Sequence, residues 1–142
     1  MSLCDNRLLT GGTGAAQALA LGLAQLTSLE RLTLCHNVID KHGAGVVALA
    51  LGCLTALTYL DMGHTSISGS CLSALSSLTA LEHLCLSGNN LECTKEEGLS
   101  ALASGLQLPA LRSLDLRNTS LRGREVQALA PALVRMSLLA TP

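Results

Sequence analysis

Aromatic rings are almost missing from this 142-residue chain, which has one tyrosine, Tyr59, and neither phenylalanine nor tryptophan. A globule of this length ordinarily fills its centre with several rings, because each buries a large apolar area. Their absence argues against one thick core and for thin, repeated layers. Charge is scarce as well: 13% of residues are charged and the formal net charge is −1, which excludes the basic footprint of a nucleic-acid binder. The opening "MSLCDNRLLTGG" lacks a basic segment followed by an unbroken apolar run, so it does not read as a targeting peptide. Residues 8–29 contain no Lys, Arg, Asp or Glu and are long enough to cross a bilayer. Their Gly, Thr, Ser and Gln content and the missing aromatic belt disfavour a membrane span. No C-x-x-C pair and no H-x-x-x-H spacing occurs. Six cysteines without a leader suit a reducing compartment better than a disulfide framework, so a cytoplasmic or other reducing intracellular location is expected.

Leucine is abundant, about a quarter of the chain, and it recurs in a pattern. Four segments align without gaps: "LERLTLCHNVI" (29–39), "LTYLDMGHTSI" (57–67), "LEHLCLSGNNL" (81–91) and "LRSLDLRNTSL" (111–121). Each has apolar residues at template positions 1, 4, 6 and 11, and Asn or Thr at position 9. The opening "MSLCDNRL" fits positions 4 to 11 of the same template. Anchored on position 6, the units fall at Leu3, Leu34, Met62, Leu86 and Leu116. A second signal runs in phase. "LTSL", "LTAL", "LTAL" and "LPAL" end at the first residue of the four complete motifs, and "ALALG" occurs at both 18–22 and 48–52.

Leucines at positions 4 and 6 have the period of a strand, so they share one side while positions 3, 5 and 7 share the other. The following Ala/Leu stretch has helical spacing. One unit is therefore strand, turn, helix, turn. Alone it cannot bury its apolar side, but stacked units share a continuous core. Helices are wider than strands, so the stack curves with strands inside and helices outside.

These motifs resemble those of leucine-rich repeat proteins, most closely the long-repeat class typified by ribonuclease inhibitor. The resemblance covers essentially the whole chain. It implies a single α/β domain, 1–142: a right-handed horseshoe segment with parallel strands on the concave face, helices on the convex face and about five repeats. The units are approximately 1–28, 29–56, 57–80, 81–110 and 111–142. The fold itself is nearly silent on function.

Departures from the pattern carry expectations of their own. Thr65 and Thr119 stand at position 9, where Asn6, Asn37 and Asn89 match the family, and a hydroxyl can satisfy fewer backbone groups than a carboxamide. The third unit is short, so "SGSCLSALSS" (68–77) predicts a short or 3₁₀-like helix. Thr94 and Glu97 have the spacing of a capping box that would open a regular helix. Pro131 should kink or shorten the last helix.

Positions 3, 5 and 7 supply the candidate binding surface: Arg31, Tyr59, Asp61, His83, Cys85, Asp115 and Arg117. Tyr59 is placed outside the core, where an amphipathic ring makes a typical contact anchor. Asp61, His83 and Cys85 are metal-ligand and nucleophile types close together, yet zinc wants a fourth ligand or a water, and no nucleophile elbow accompanies them. No metal, cofactor or catalytic residue is assigned on this basis. Cys4 and Cys35 share one column on adjacent strands and could approach closely in an oxidising setting, but a reduced pair is expected. "GGTGAAQ" (11–17) lacks the Lys-Ser/Thr ending of a phosphate loop.

Residues 43–60 and 62–81, apart from Asp61 between them, carry no Asp, Glu, Lys or Arg. An isolated solenoid should charge its outer helix faces, so this suggests that the N-terminal half is covered by a partner. The opening half-motif leaves an open leucine layer and unpaired strand groups, and another chain or a longer array is expected over that edge. The reading that follows is a non-catalytic protein–protein interaction module, a scaffold, adaptor or complex subunit with protein partners, no nucleic acid and no membrane insertion. Its rivals are a regulator of an enzyme or GTPase, a Cys/His-based enzyme, and a fragment of a larger repeat receptor.

Overall fold

The computed structural model describes residues 1–6 and 13–139. Four three-residue strands form one parallel sheet in chain order: β1 (Arg31–Thr33), β2 (Tyr59–Asp61), β3 (His83–Cys85) and β4 (Ser113–Asp115). Before β1, residues 1–5 extend the sheet through a parallel bridge, Ser2 to Thr33, and the amides of Leu3 and Asp5 donate to the carbonyls of Thr33 and Cys35. The helices are α1 (Thr13–Ala24), α2 (Lys41–Gly52), a 3₁₀ helix (Gly69–Ser77), α3 (Glu96–Gly105) and α4 (Gly123–Leu139). Each packs on the next: α1 on α2, α2 on the 3₁₀ helix, that on α3, and α3 on α4. Strand and helix alternate once per unit, which is the expected α/β leucine-rich repeat solenoid. Of "GGTGAAQ", residues 13–17 open α1; residues 11 and 12 lie outside the described residues.

Register follows from the leucines. Leu32, Leu60, Leu84 and Leu114 are direct neighbours across the sheet. Position 6 lies under them, with Leu34, Met62 and Leu86 buried. Full burial of such a side chain stabilises by about 1.5–3 kcal/mol. In the outermost units Leu3, Leu114, Leu116 and Leu121 are only partly buried.

The third unit fits the stack with fewer residues because of its helix type. A 3₁₀ helix rises about 2.0 Å per residue against 1.5 Å for an α-helix, so nine and twelve residues both span roughly 18 Å. The 3₁₀ helix has nine residues and α2 has twelve. Close approach is needed where helices meet: a Cβ on Gly105 would run into the Leu72 carbonyl.

Where each chain turns off its strand, position 8 is left-handed throughout: Asp5, His36, His64, Gly88 and Asn118 all have φ between 54° and 68°. Position 9 then ties the turn down. Asn89 Nδ2 donates to the Leu86 carbonyl of its own unit (2.8 Å) and to the Met62 carbonyl of the preceding one (2.7 Å). Asn37 does the same toward Leu34 and Leu3. The Thr65 and Thr119 hydroxyls donate to the Met62 and Leu116 carbonyls of their own units, and that of Thr65 also lies 3.3 Å from Asn89 Oδ1 of the next. A hydroxyl has one hydrogen to donate, so threonine does not tie together the carbonyls of two units as asparagine does.

Two local expectations are corrected. The Thr94–Glu97 box does not form: α3 starts at Glu96, and Lys95 occupies the N-cap with no side-chain hydrogen bond. The preceding backbone is claimed from elsewhere, since the Cys93 amide donates to Glu125 Oε1 at 3.0 Å. Nor is the last helix shortened at Pro131. It runs on to Leu139, Pro131 lies on the exposed face, and the adjacent Leu129 and Ala132 anchor the helix in the core. Among the described residues no helix is long and apolar enough to cross a membrane.

Candidate protein-binding surface

The sheet presents two rows in register. One runs Arg31, Tyr59, His83, Ser113; the other runs Thr33, Asp61, Cys85, Asp115. All seven residues anticipated from the motif lie on this face or, for Arg117, two residues beyond it on the same side.

The first row is a stack. The Arg31 guanidinium lies 4.2 Å over the Tyr59 ring, and the His83 ring follows at 6.1 Å between centroids, tilted by 42°. A cation over a ring face is attracted by the ring quadrupole, and the contact holds both side chains in one geometry. Tyr59 is half-buried while Arg31 and His83 are exposed. The row is thus a firm ridge with an aromatic centre.

Charge in the second row is partly compensated. Arg117 forks onto Asp115, with Nε at 3.0 Å from Oδ1 and a terminal nitrogen at 2.7 Å from Oδ2. These donors, chiefly the guanidinium, hold the Asp115 carboxyl down at about 2. Asp61 accepts from the Gly63 amide at 2.9 Å and, among the described residues, takes part in no ion pair. Between Tyr59, Asp61, His83, Cys85, Ser113 and Asp115 lies a depression of about 220 Å³.

Cys85 is not set up as a nucleophile. Its sulfur lies 3.2 Å from Ser87 Oγ and 3.8 Å from Asp115 Oδ2. Burial pushes its thiol up, and the Asp61 charge adds to the effect. No hydrogen bond joins it to His83, whose ring is turned to Tyr59. Among the described residues no three His, Cys, Asp or Glu side chains are placed to hold a metal ion.

Three features depart from these expectations or go beyond them. Cys4 and Cys35 are joined in a disulfide with their Cα atoms 4.7 Å apart, which corrects the expected reduced pair. Parallel pairing of their strands brings the two side chains together. His36 and His64 stack at 4.6 Å with an interplanar angle of 8°; two histidines at position 8 of consecutive units were the available signal. Glu125, nearly fully buried, takes the amides of Cys93 and Arg122. These hydrogen bonds, led by that of Cys93, pull its carboxyl below the usual range.

On the convex side, α1 and α2 enclose an apolar groove of about 450 Å³, whose lining includes Ala20, Leu21, Val46, Leu49 and Cys53 but no charged side chain. Leu21 and Leu49 are 72% and 68% exposed there, so the uncharged outer face read from the sequence is a real surface.

A model of the Leucine Rich Repeat family matches residues 56–78 and 80–102. The transforming growth factor beta activator LRRC32 of Mus musculus is 34% identical over 125 residues, covering 84% of this chain. The chain spans about a fifth of that relative's length, 18%. Among solved structures, leiomodin-1 actin-binding site 2 superposes with a TM-score of 0.66 at 18% identity, covering 97% of this chain and 81% of that one. The Chaetomium Mex67:Mtr2 subunits give 0.53 at 20% identity over 94% and 87%. An internalin, InlF of Listeria monocytogenes, gives 0.50 at 22% identity over 81% and 34%. At these identities the structural likeness speaks for the fold.

Proposed function

We propose that this chain, a leucine-rich repeat protein, is a non-catalytic protein-binding module that holds its partner on the concave sheet, as an adaptor or complex subunit. The observation that carries this reading is the Arg31–Tyr59–His83 stack. Aromatic and arginine side chains dominate contact energetics at interfaces, and here the chain's single tyrosine and its arginine neighbour are fixed on the open face of the sheet rather than spent in the core. A rigid surface loses little entropy on binding. Support by likeness comes from the relatives, one named as a growth-factor activator, one as an actin-binding site and one as part of a two-protein complex.

The test is affinity capture from native lysate with the chain and with an Arg31→Ala, Tyr59→Ala, His83→Ala variant. These side chains stand on the solvent side of the sheet, so the variant is expected to fold and to lose the captured protein. Equal recovery by both chains would reject the concave face as the interface.

A second surface is favoured by one observation, the exposed Leu21 and Leu49 beside an uncharged groove. We read the convex N-terminal half as an additional contact within a larger assembly. Self-association of the isolated chain, abolished by Leu21→Lys with Leu49→Lys, is the expected result in light scattering; a clean monomer at high concentration would count against it.

A further inference from the structure

We infer that the depression between β2, β3 and β4 receives a basic side chain, lysine or arginine, from the partner protein. This rests on the concave-face reading and deepens it.

Its walls are specified by the register. Tyr59 and His83 stand on one side, and the Asp61, Cys85, Asp115 row forms the other. Adjacent parallel strands are about 4.8 Å apart, so the two carboxylates lie on either side of the thiol. Burial and the Asp61 charge keep that thiol in its neutral form, so Cys85 contributes size without adding a charge. Asp115 is neutralised by Arg117. Asp61 is half-buried and, among the described residues, has no paired cation. The depression therefore carries about one net negative charge beside an aromatic ring.

A lysine or arginine side chain complements each part. Its apolar stem lies against the ring, and its cationic head meets Asp61. Arg31 already shows that one face of Tyr59 accepts a guanidinium, and it occupies the side of the ring facing β1. The remaining approach lies toward His83 and Asp61. A depression of about 220 Å³ admits one such side chain and excludes a folded element. An anionic or purely apolar residue would leave Asp61 uncompensated in a partly desolvated site, which is unfavourable.

The test titrates the full isotope-labelled chain with N-acetyl-arginine amide and, separately, with neutral N-acetyl-norleucine amide, following backbone resonances. The basic probe should shift Tyr59, Asp61, His83 and Cys85, and the neutral probe should leave them in place. Asp61→Asn keeps an oxygen for the Gly63 amide, so its fold is retained; it should weaken the basic probe about tenfold. Equal responses to both probes, or an unchanged response in Asp61→Asn, would overturn the inference. If the probe shifts none of these residues while the triple alanine variant still loses its captured protein, the basic-side-chain assignment falls and the concave-face reading stands.

Discussion

Asn89 holds Thr65 across a repeat boundary: its side-chain oxygen accepts the Thr65 amide at 3.0 Å and the Ile67 amide at 3.1 Å. Its amide nitrogen meanwhile donates to Met62 and Leu86. One buried carboxamide thus serves five backbone groups on two units, the Ser87 carbonyl at 3.4 Å included. Thr119 serves one. Asn89→Ala should destabilise the chain by on the order of 3 kcal/mol, because several buried groups lose their partner, while Thr119→Val should cost about 1 kcal/mol. Urea unfolding of both variants measures the difference; equal losses would contradict the cross-unit role.

Glycines in the helices should divide by what surrounds them. Gly105→Ala drives a methyl into the Leu72 carbonyl, and the cost should be about 1–3 kcal/mol. Gly45, inside α2, has open space around its Cβ direction, so Gly45→Ala should stabilise by about 0.5–1 kcal/mol. Thermal unfolding reads opposite shifts.

Glu125 ties the backbone before α3 to the start of α4. Glu125→Ala strands the buried amide of Cys93 and that of Arg122, a loss of about 1–3 kcal/mol. Glu125→Gln retains one acceptor and should lose less. Amide exchange at Cys93 should rise in both, and more in the alanine variant.

Acid should weaken the Asp115–Arg117 pair in a defined window. The Asp115 carboxyl is held at about 2 against an ordinary 3.8. A depressed folded-state value means the stabilisation is complete above about pH 4 and is lost as the pH falls toward 2. NMR titration of Asp115 should return toward 3.8 in Arg117→Leu. An unmoved value would show that other groups hold the carboxylate.

Thiol counting separates the cysteines. With Cys4 and Cys35 bonded, four of the six remain free: Cys53, Cys71, Cys85 and Cys93. Alkylation before lysis should find four, and six would return the pair to the reducing compartment that cysteine usage suggested. Cys53, which is exposed, should react first. Cys85 should react slowly at neutral pH and faster in Asp61→Asn, since the Asp61 charge helps to hold its thiol up. A fast Cys85 would reopen the thiol-enzyme alternative.

Much of the architecture was legible from single residues. Leu32, Leu60, Leu84 and Leu114 recur at one template position, and the same position pairs across the sheet. That register alone placed Tyr59 outside the core, and the short third unit announced its 3₁₀ helix. Contacts that join residues about thirty apart were less visible. Arg31 on Tyr59, Cys4 bonded to Cys35 and Glu125 on Cys93 each need two units already stacked.

By itself the sequence determined the period of the solenoid, the inward and outward faces of each strand and the residues offered to solvent. Those properties follow from local geometry, since alternation along a strand needs no knowledge of distant chain. Only the tertiary structure decided which neighbours touch. It laid Arg31 over Tyr59 and, among the described residues, left Asp61 without a cation. It also tied the backbone before α3 to a carboxylate in α4. Hydrogen bonds and ion pairs fall off over a few ångströms, and the spacing and twist between stacked units choose which groups come within that range.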